Sequence, residues 1–155
     1  MLYQTSVKLT YEEYKRFSKA VMKKNMRKVY ISLIVLLFGA GLLRIVSPDS
    51  SLILFLIFFI IFYPIVLCFG QNRAIKKTYM SNELLKNTFE TIDFYKNHFV
   101  SKTEKSESTV EYDKLYKIIE TKTNFYLMIA DNQGYIVSKA NCSQELIDFI
   151  ISLKK

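Results

Sequence analysis

The sequence has no tryptophan, four glycines, two prolines, two cysteines and one histidine among its 155 residues. Each scarcity closes off a class of function. Cys68 lies in an apolar run and Cys142 in a polar region, so the two are placed too differently to pair, and no disulfide framework is implied. His98 with two separated cysteines falls short of the roughly four ligands a structural zinc site needs. A Cys142–His98 nucleophile–base pair would lack both an orienting third group and oxyanion donors. With two of the four glycines in an apolar run, nothing resembles a glycine-rich phosphate loop. Glu104, Glu107, Glu111, Asp113 and Glu120 are spread over polar stretches as solvated charges, without the spacing of an acid/base pair. The sequence therefore predicts no enzyme, no cofactor and no metal.

What the chain has in abundance is apolar residues in two blocks. VYISLIVLLFGAGLLRIV occupies 29–46 and LILFLIFFIIFYPIVLCF occupies 52–69, with the polar break Ser47-Pro48-Asp49-Ser50-Ser51 between them. A membrane helix needs roughly 20 mostly apolar residues, with about 17–25 observed. The second block holds no charge, and the first holds only Arg44, close enough to its end for the guanidinium to snorkel to the headgroups. Pro, Asp and Ser give the break its turn chemistry. The pattern predicts a membrane hairpin: helices over 29–46 and 52–69 with an extracellular turn at 47–51. Gly39 and Gly41 offer a place for the helices to approach closely, without GxxxG spacing. Pro64 is expected to bend the second helix.

Basic residues set the orientation. The net charge of +8 divides as +6 over 1–28, zero over 29–69, +3 over 70–86 and −1 over 87–155. Cations beside both outer ends of the hairpin and none in its turn predict cytoplasmic termini, with the first block acting as an uncleaved signal anchor. Lys23, Lys24, Arg27, Lys28, Arg73, Lys76 and Lys77 are the candidate membrane-surface residues, where anionic lipid attracts each cation by about 1 kcal/mol. A lipid partner accounts for the basic excess, so nucleic acid is not expected.

The flanking segments carry their own patterns. Residues 2–9 alternate as a strand, and 1–10 form the first segment. Thr10 and Glu13 have capping-box spacing at the start of a basic amphipathic helix over 11–28. That helix either lies in the membrane interface or extends the first span and packs on the soluble domain. A juxtamembrane helix is expected over 70–86. From there to 155 the period switches to two: strands at 88–95, 98–102, 107–111, 116–122, 125–130 and 135–139. Lys96-Asn97, Tyr112 to Leu115, Thr123-Asn124 and Asp131 to Gly134 read as turns, the last with Gly and Asn supplying positive φ. Ser143 is the expected N-cap of a closing helix whose apolar face is Leu146, Ile147, Phe149, Ile150, Ile151 and Leu153.

The six downstream strands leave the N-terminal strand without another partner, and a lone strand is unstable. The expected fold is thus a membrane α-helical hairpin plus an α+β cytoplasmic domain. That domain is a bent antiparallel sheet of about seven strands with a C-terminal helix, the hairpin inserted between its first and second strands. This layout resembles the pleckstrin-homology (PH) superfold. Tyr112-Asp113-Lys114-Leu115, Lys117-Ile118-Ile119-Glu120-Thr121, Phe125-Tyr126-Leu127, Ile136-Val137-Ser138-Lys139 and Phe149 resemble the YcxB-like family, as does Leu9-Thr10-Tyr11-Glu12-Glu13-Tyr14. Ser138 stands where that family often has proline, and Cys142 near a frequent aromatic. The resemblance implies a bacterial cell-membrane protein with two spans and a YcxB-like domain over 87–155. The expected function is to present that domain to a protein or peptide partner or to lipid headgroups. A second reading, from size, charge and topology, is immunity or resistance to a bacteriocin or toxin. A transporter or channel subunit is a third; with no acid or base in the spans other than Arg44 near an end, it has little support.

Overall fold

The computed structural model describes residues 1–46, 51–83 and 85–154, and leaves out the side chains of residues 24, 25, 43–46 and 51–54. The chain divides into two compact units, residues 1–21 with 77–155 and residues 22–76.

In the first unit, β1 (Tyr3–Lys8) pairs antiparallel with β2 (Phe89–Phe94), from Tyr3 opposite Phe94 to Lys8 opposite Phe89. β3 (His98–Lys102) and β4 (Glu107–Glu111) follow as hairpin neighbours, giving a sheet ordered β1-β2-β3-β4. A 3-10 turn at Tyr112–Lys114 then breaks the ladder, and β5 (Lys117–Glu120), β6 (Asn124–Met128) and β7 (Gly134–Ser138) form a second sheet ordered β5-β6-β7. The fold is α+β with two antiparallel sheets, not the single bent sheet expected. The interruption falls where Tyr112, Asp113 and Lys114 coil between β4 and β5, so those two strands share no ladder.

Alternation along the strands makes two cores. Ile92, Phe94 and Phe99 pack in one core with Phe125, Leu127 and Val137 of the second sheet, and the closing helix seals it. That closing helix spans Gln144–Ser152 and drives Leu146 and Ile150 into the same core. Its N-cap is Ser143, whose Oγ accepts from the Leu146 amide at 3.3 Å. Fully burying each such side chain is worth about 1.5–3 kcal/mol. The opposite face of the second sheet presents Tyr126, Met128 and Ile136 to Val7, Leu9 and Phe17.

Phe17 belongs to the long helix α1 (Tyr11–Val46), whose first turns lie within this unit. Its ring meets Tyr126 edge-on at 5.4 Å. Residues 11–21 thus pack on the sheet. Thr10 Oγ1 accepts from the Glu13 amide at 3.3 Å, but the Glu13 carboxylate does not reach back. It accepts instead from Asn124 Nδ2 at 2.7 Å and from Arg16 at 2.8 Å, because packing offers it a buried amide.

Two turn assignments change. Asn124 is the first residue of β6, not half of a turn, and the turn is closed by Thr121, whose N–H donates to the Asn124 carbonyl at 2.9 Å. No described glycine has positive φ; Asn87, at 53°, is the one described non-glycine residue that does. Gly134 is needed for close approach: a Cβ there would lie 2.7 Å from the Leu127 carbonyl oxygen.

The second unit comprises α1 from residue 22 and α2 (Ser51–Ser81) up to residue 76. Both helices run unbroken across the boundaries expected at 28/29 and 69/70. Of the turn expected at 47–51, residues 47–50 lie outside the described residues and Ser51 opens α2. Leu33, Ala40, Ile60 and Ile75 are buried, whereas most large apolar residues of this unit, among them Phe38, Phe55, Phe58 and Val66, are exposed. The expected glycine approach is absent: a Cβ at Gly39 or Gly41 would meet nothing within 4 Å, and the small buried residue is Ala40 between them.

Candidate membrane-surface and binding sites

The candidate cations sit on the polar ends of the two long helices. Lys23, Arg27 and Lys28 on α1 and Arg73, Lys76 and Lys77 on α2 are all exposed; the side chain of Lys24 lies outside the described residues. Gln71 Nε2 donates to Met26 Sδ at 2.9 Å, which joins the helices next to Arg27 and Lys28 on one side and Arg73 on the other. Lys77 belongs to the other unit. None of these six cations forms an ion pair among the described residues. Like charges spaced along one helix repel one another, and an anionic surface relieves that repulsion.

The helices leave the sheet through one doorway. The Leu9 amide donates to the Thr88 carbonyl at 2.8 Å and the Asn87 amide to the Leu9 carbonyl at 3.1 Å, extending the β1–β2 ladder to the point of exit. Tyr79, 4% exposed, braces it: its hydroxyl donates to the Leu9 carbonyl at 3.0 Å and accepts from the Asn87 amide at 3.2 Å. Its ring lies 5.7 Å from Tyr11 and 5.9 Å from Tyr14. Sequence reasoning missed Tyr79, because its spacing is that of any helix residue; its partners come from both ends of the excursion.

The other candidates scatter. His98 stacks on Tyr95 at 4.7 Å, beside an open depression of about 640 Å³ that Lys96, Asn97, Glu111, Tyr112 and Asp113 also line. Glu111 is paired with Lys114 at 2.9 Å. The Tyr112 hydroxyl donates to the Tyr95 carbonyl, and burial pushes its pKa up to about 12. Cys142 donates to the Ser138 carbonyl at 3.1 Å; burial pushes its thiol up, away from nucleophilic use, and no contact joins it to His98 among the described residues. Glu120 bonds to Lys139 at 2.6 Å and also to Lys154, and these two lysines hold its carboxyl at about 2. Among the described residues no cluster of three or more His, Cys, Asp or Glu could hold a metal ion.

Two acids of the first sheet titrate in opposite directions. Asp93 is desolvated, but Gln4 at 2.7 Å and Lys102 at 3.0 Å outweigh that and hold its carboxyl below the ordinary 3.8. Its contribution to stability is complete above that value and is lost as pH falls through the lowered one. Glu90 is 6% exposed, and burial raises its pKa above 4.5 against a single hydroxyl bond from Ser101 at 2.6 Å. The folded chain then holds this proton to higher pH than the unfolded chain, so stability falls as pH rises from 4.5 through the raised value. Glu90→Gln is expected to be more stable than the parent at pH 7 and not at pH 4, as read by urea unfolding at both values.

Fold and site define an α+β domain with a long helical excursion. One helix, Phe55–Ser81, is long and apolar enough to cross a membrane, and a second qualifies if Tyr11–Lys23 and Met26–Leu42 are one span. Residues 94–153 match the family described as YcxB-like protein, in keeping with the resemblance read from the sequence. The match begins at the end of β2, so β1 and both long helices lie outside it. No curated protein matches the chain, and no solved structure does.

Proposed function

We propose that this chain is a non-enzymatic bacterial membrane protein with two spans, which presents a PH-like cytoplasmic domain to a protein or peptide partner. The observation that carries the reading is the doorway. Leu9 and Asn87 are hydrogen-bonded to each other, so the excursion between them starts and ends on one side of any membrane it enters. An even number of crossings satisfies this and a single crossing does not. The most apolar window of Phe55–Ser81 is 6% buried, unlike the core helix of a soluble protein. The exposed cations Lys23, Arg27, Lys28, Arg73 and Lys76, unpaired among the described residues, suit an anionic headgroup layer at the polar end of such a hairpin. Strands ordered four and three, with a C-terminal helix closing the core between them, support the PH-like description.

Cysteine labelling tests the topology. In a chain with Cys68 and Cys142 replaced by serine, Asp49→Cys is expected to react with an impermeant maleimide in intact cells. Lys105→Cys, on the β3–β4 turn, is expected to react only after permeabilisation. Labelling of both from outside, or of neither, would sink the two-span reading.

A further inference from the structure

Four strand edges bound the two sheets, and they are not alike. β1 runs beside β7, and Asn141 clasps it: Asn141 Nδ2 donates to the Ser6 carbonyl at 2.6 Å and the Asn141 carbonyl accepts from Thr5 Oγ1 at 3.0 Å. β4 carries exposed Glu107 and Glu111 along its edge, the charged flanking that discourages pairing. β5 is only four residues long, with Lys117 and Glu120 at its ends and Ile118 and Ile119 between them, and no side chain clasps its outer backbone among the described residues.

The register shows what β5 offers. The Thr121 amide donates to the Asn124 carbonyl, so Thr121 and Asn124 are a hydrogen-bonded pair. By alternation Ile119 with Tyr126 and Lys117 with Met128 are the next such pairs. Ile118 and Glu120 therefore turn their N–H and C=O outward, and those groups bond to nothing among the described residues. Alongside lies a groove of about 280 Å³ between this edge and the C-terminal end of the closing helix. Tyr112, Leu115, Ile118 and Leu153 give it apolar walls, and Lys117 and Lys154 stand at its rim.

We propose that the β5 edge and this groove take an extended acidic segment of a partner protein as an added strand. The inference rests on the binding-module reading and names its site. The backbone groups of Ile118 and Glu120 supply the main-chain bonds, and the groove takes alternate apolar side chains. Charge selects the occupant. Lys117 and Lys154 line the groove and no acid does, and Lys154 shares Glu120 with Lys139, so the lining is basic. Lys117 meets Asp131 only at 3.7 Å, with Asp131 81% exposed, so an incoming carboxylate displaces that pair at little cost.

The test uses the full chain in phosphatidylcholine nanodiscs and fluorescence anisotropy of a short alternating Glu-Val peptide. The Glu-Val probe is expected to bind, and its Lys-Val counterpart to bind more weakly by about tenfold or more. Methylating one alternate set of peptide amides should abolish binding, and methylating the other set should leave it intact. Glu120→Pro removes an outward N–H that makes no bond to β6 and should weaken binding by about tenfold, whereas Glu120→Gln, which reduces only the ion pairs, should retain it. Thermal melts confirm that both variants fold. The proposal is overturned if neither probe binds, if both methylated sets bind alike, or if Glu120→Pro keeps full affinity. It is also overturned if the edge pairs with a second copy, seen as a dimer that Glu120→Pro abolishes. Failure here leaves the cysteine-labelling result standing, so the site and the membrane-module reading fail separately.

Discussion

A chain lacking residues 1–10 will lose the cooperative fold of its C-terminal domain, although the YcxB-like match begins only at residue 94. β1 contributes a ladder of six residues to β2, and Thr5, Val7 and Leu9 are 5%, 5% and 8% exposed. Val7 and Leu9 alone each contribute about 1.5–3 kcal/mol of burial. Removing β1 also uncovers Ile92 and Phe94, which are fully buried, and leaves Asn141 without the Ser6 carbonyl. Small domains have about 5–15 kcal/mol of stability in all. The summed loss is of that order, so the expected result is an unfolded or molten domain, not a weakened one. With no tryptophan in the chain, near-ultraviolet dichroism of the tyrosines and hydrogen exchange of the β3 amides are the readouts. Adding back a peptide of residues 1–10 should restore part of the signal. A truncated chain that melts cooperatively within a few degrees of the parent would show that β1 is dispensable.

Phe99→Ala should be the most damaging single substitution in the core. Phe99 is fully buried and its ring reaches Phe94 at 6.0 Å, Tyr112 at 6.2 Å and Tyr135 at 5.1 Å. Phe94 lies in the same sheet, Tyr112 in the turn between the sheets, and Tyr135 on β7, so one ring joins three parts of the unit. Truncation of a buried phenylalanine costs about 3–5 kcal/mol, a large part of the total. Phe89→Ala provides the contrast: that ring is 58% exposed, and the change should stay within about 0.5 kcal/mol apart from its contact with Lys8. Denaturant midpoints of the two variants decide the matter, and equal midpoints would mean that Phe99 does not anchor this core.

Legibility in the sequence followed the range of the interaction. Strong periodicity marked the long helices and most strands, and Ser143 capped its helix as its position suggested, because those signals arise within a few residues. What depended on distant partners was hidden. The carboxylate of Glu13 had a local partner by spacing, yet buried Asn124, remote in sequence, captured it. Gly134 looked like a turn residue, but the Leu127 backbone requires its missing side chain. The turn at Tyr112–Lys114 was legible as a turn, but nothing local showed that β4 and β5 on either side of it share no ladder. The basic residues were legible as a group from charge alone. Tyr79 and the free edge of β5 were not, since one needs the chain ends brought together and the other needs the strand order.

The clasp of Leu9, Tyr79 and Asn87 also sets an order of assembly. β1 is synthesised first but has no sheet to join until β2 emerges, after the whole helical excursion. At about 5–20 residues per second, that wait lasts several seconds. On the two-span reading, the ribosome hands the hairpin to the bilayer during that interval, and β1 and β2 meet only if both ends have stayed on one side. The ladder therefore closes as a check on insertion. A chain threaded wrongly keeps an unpaired strand, the feature by which cellular proteases and chaperones recognise an unfinished protein.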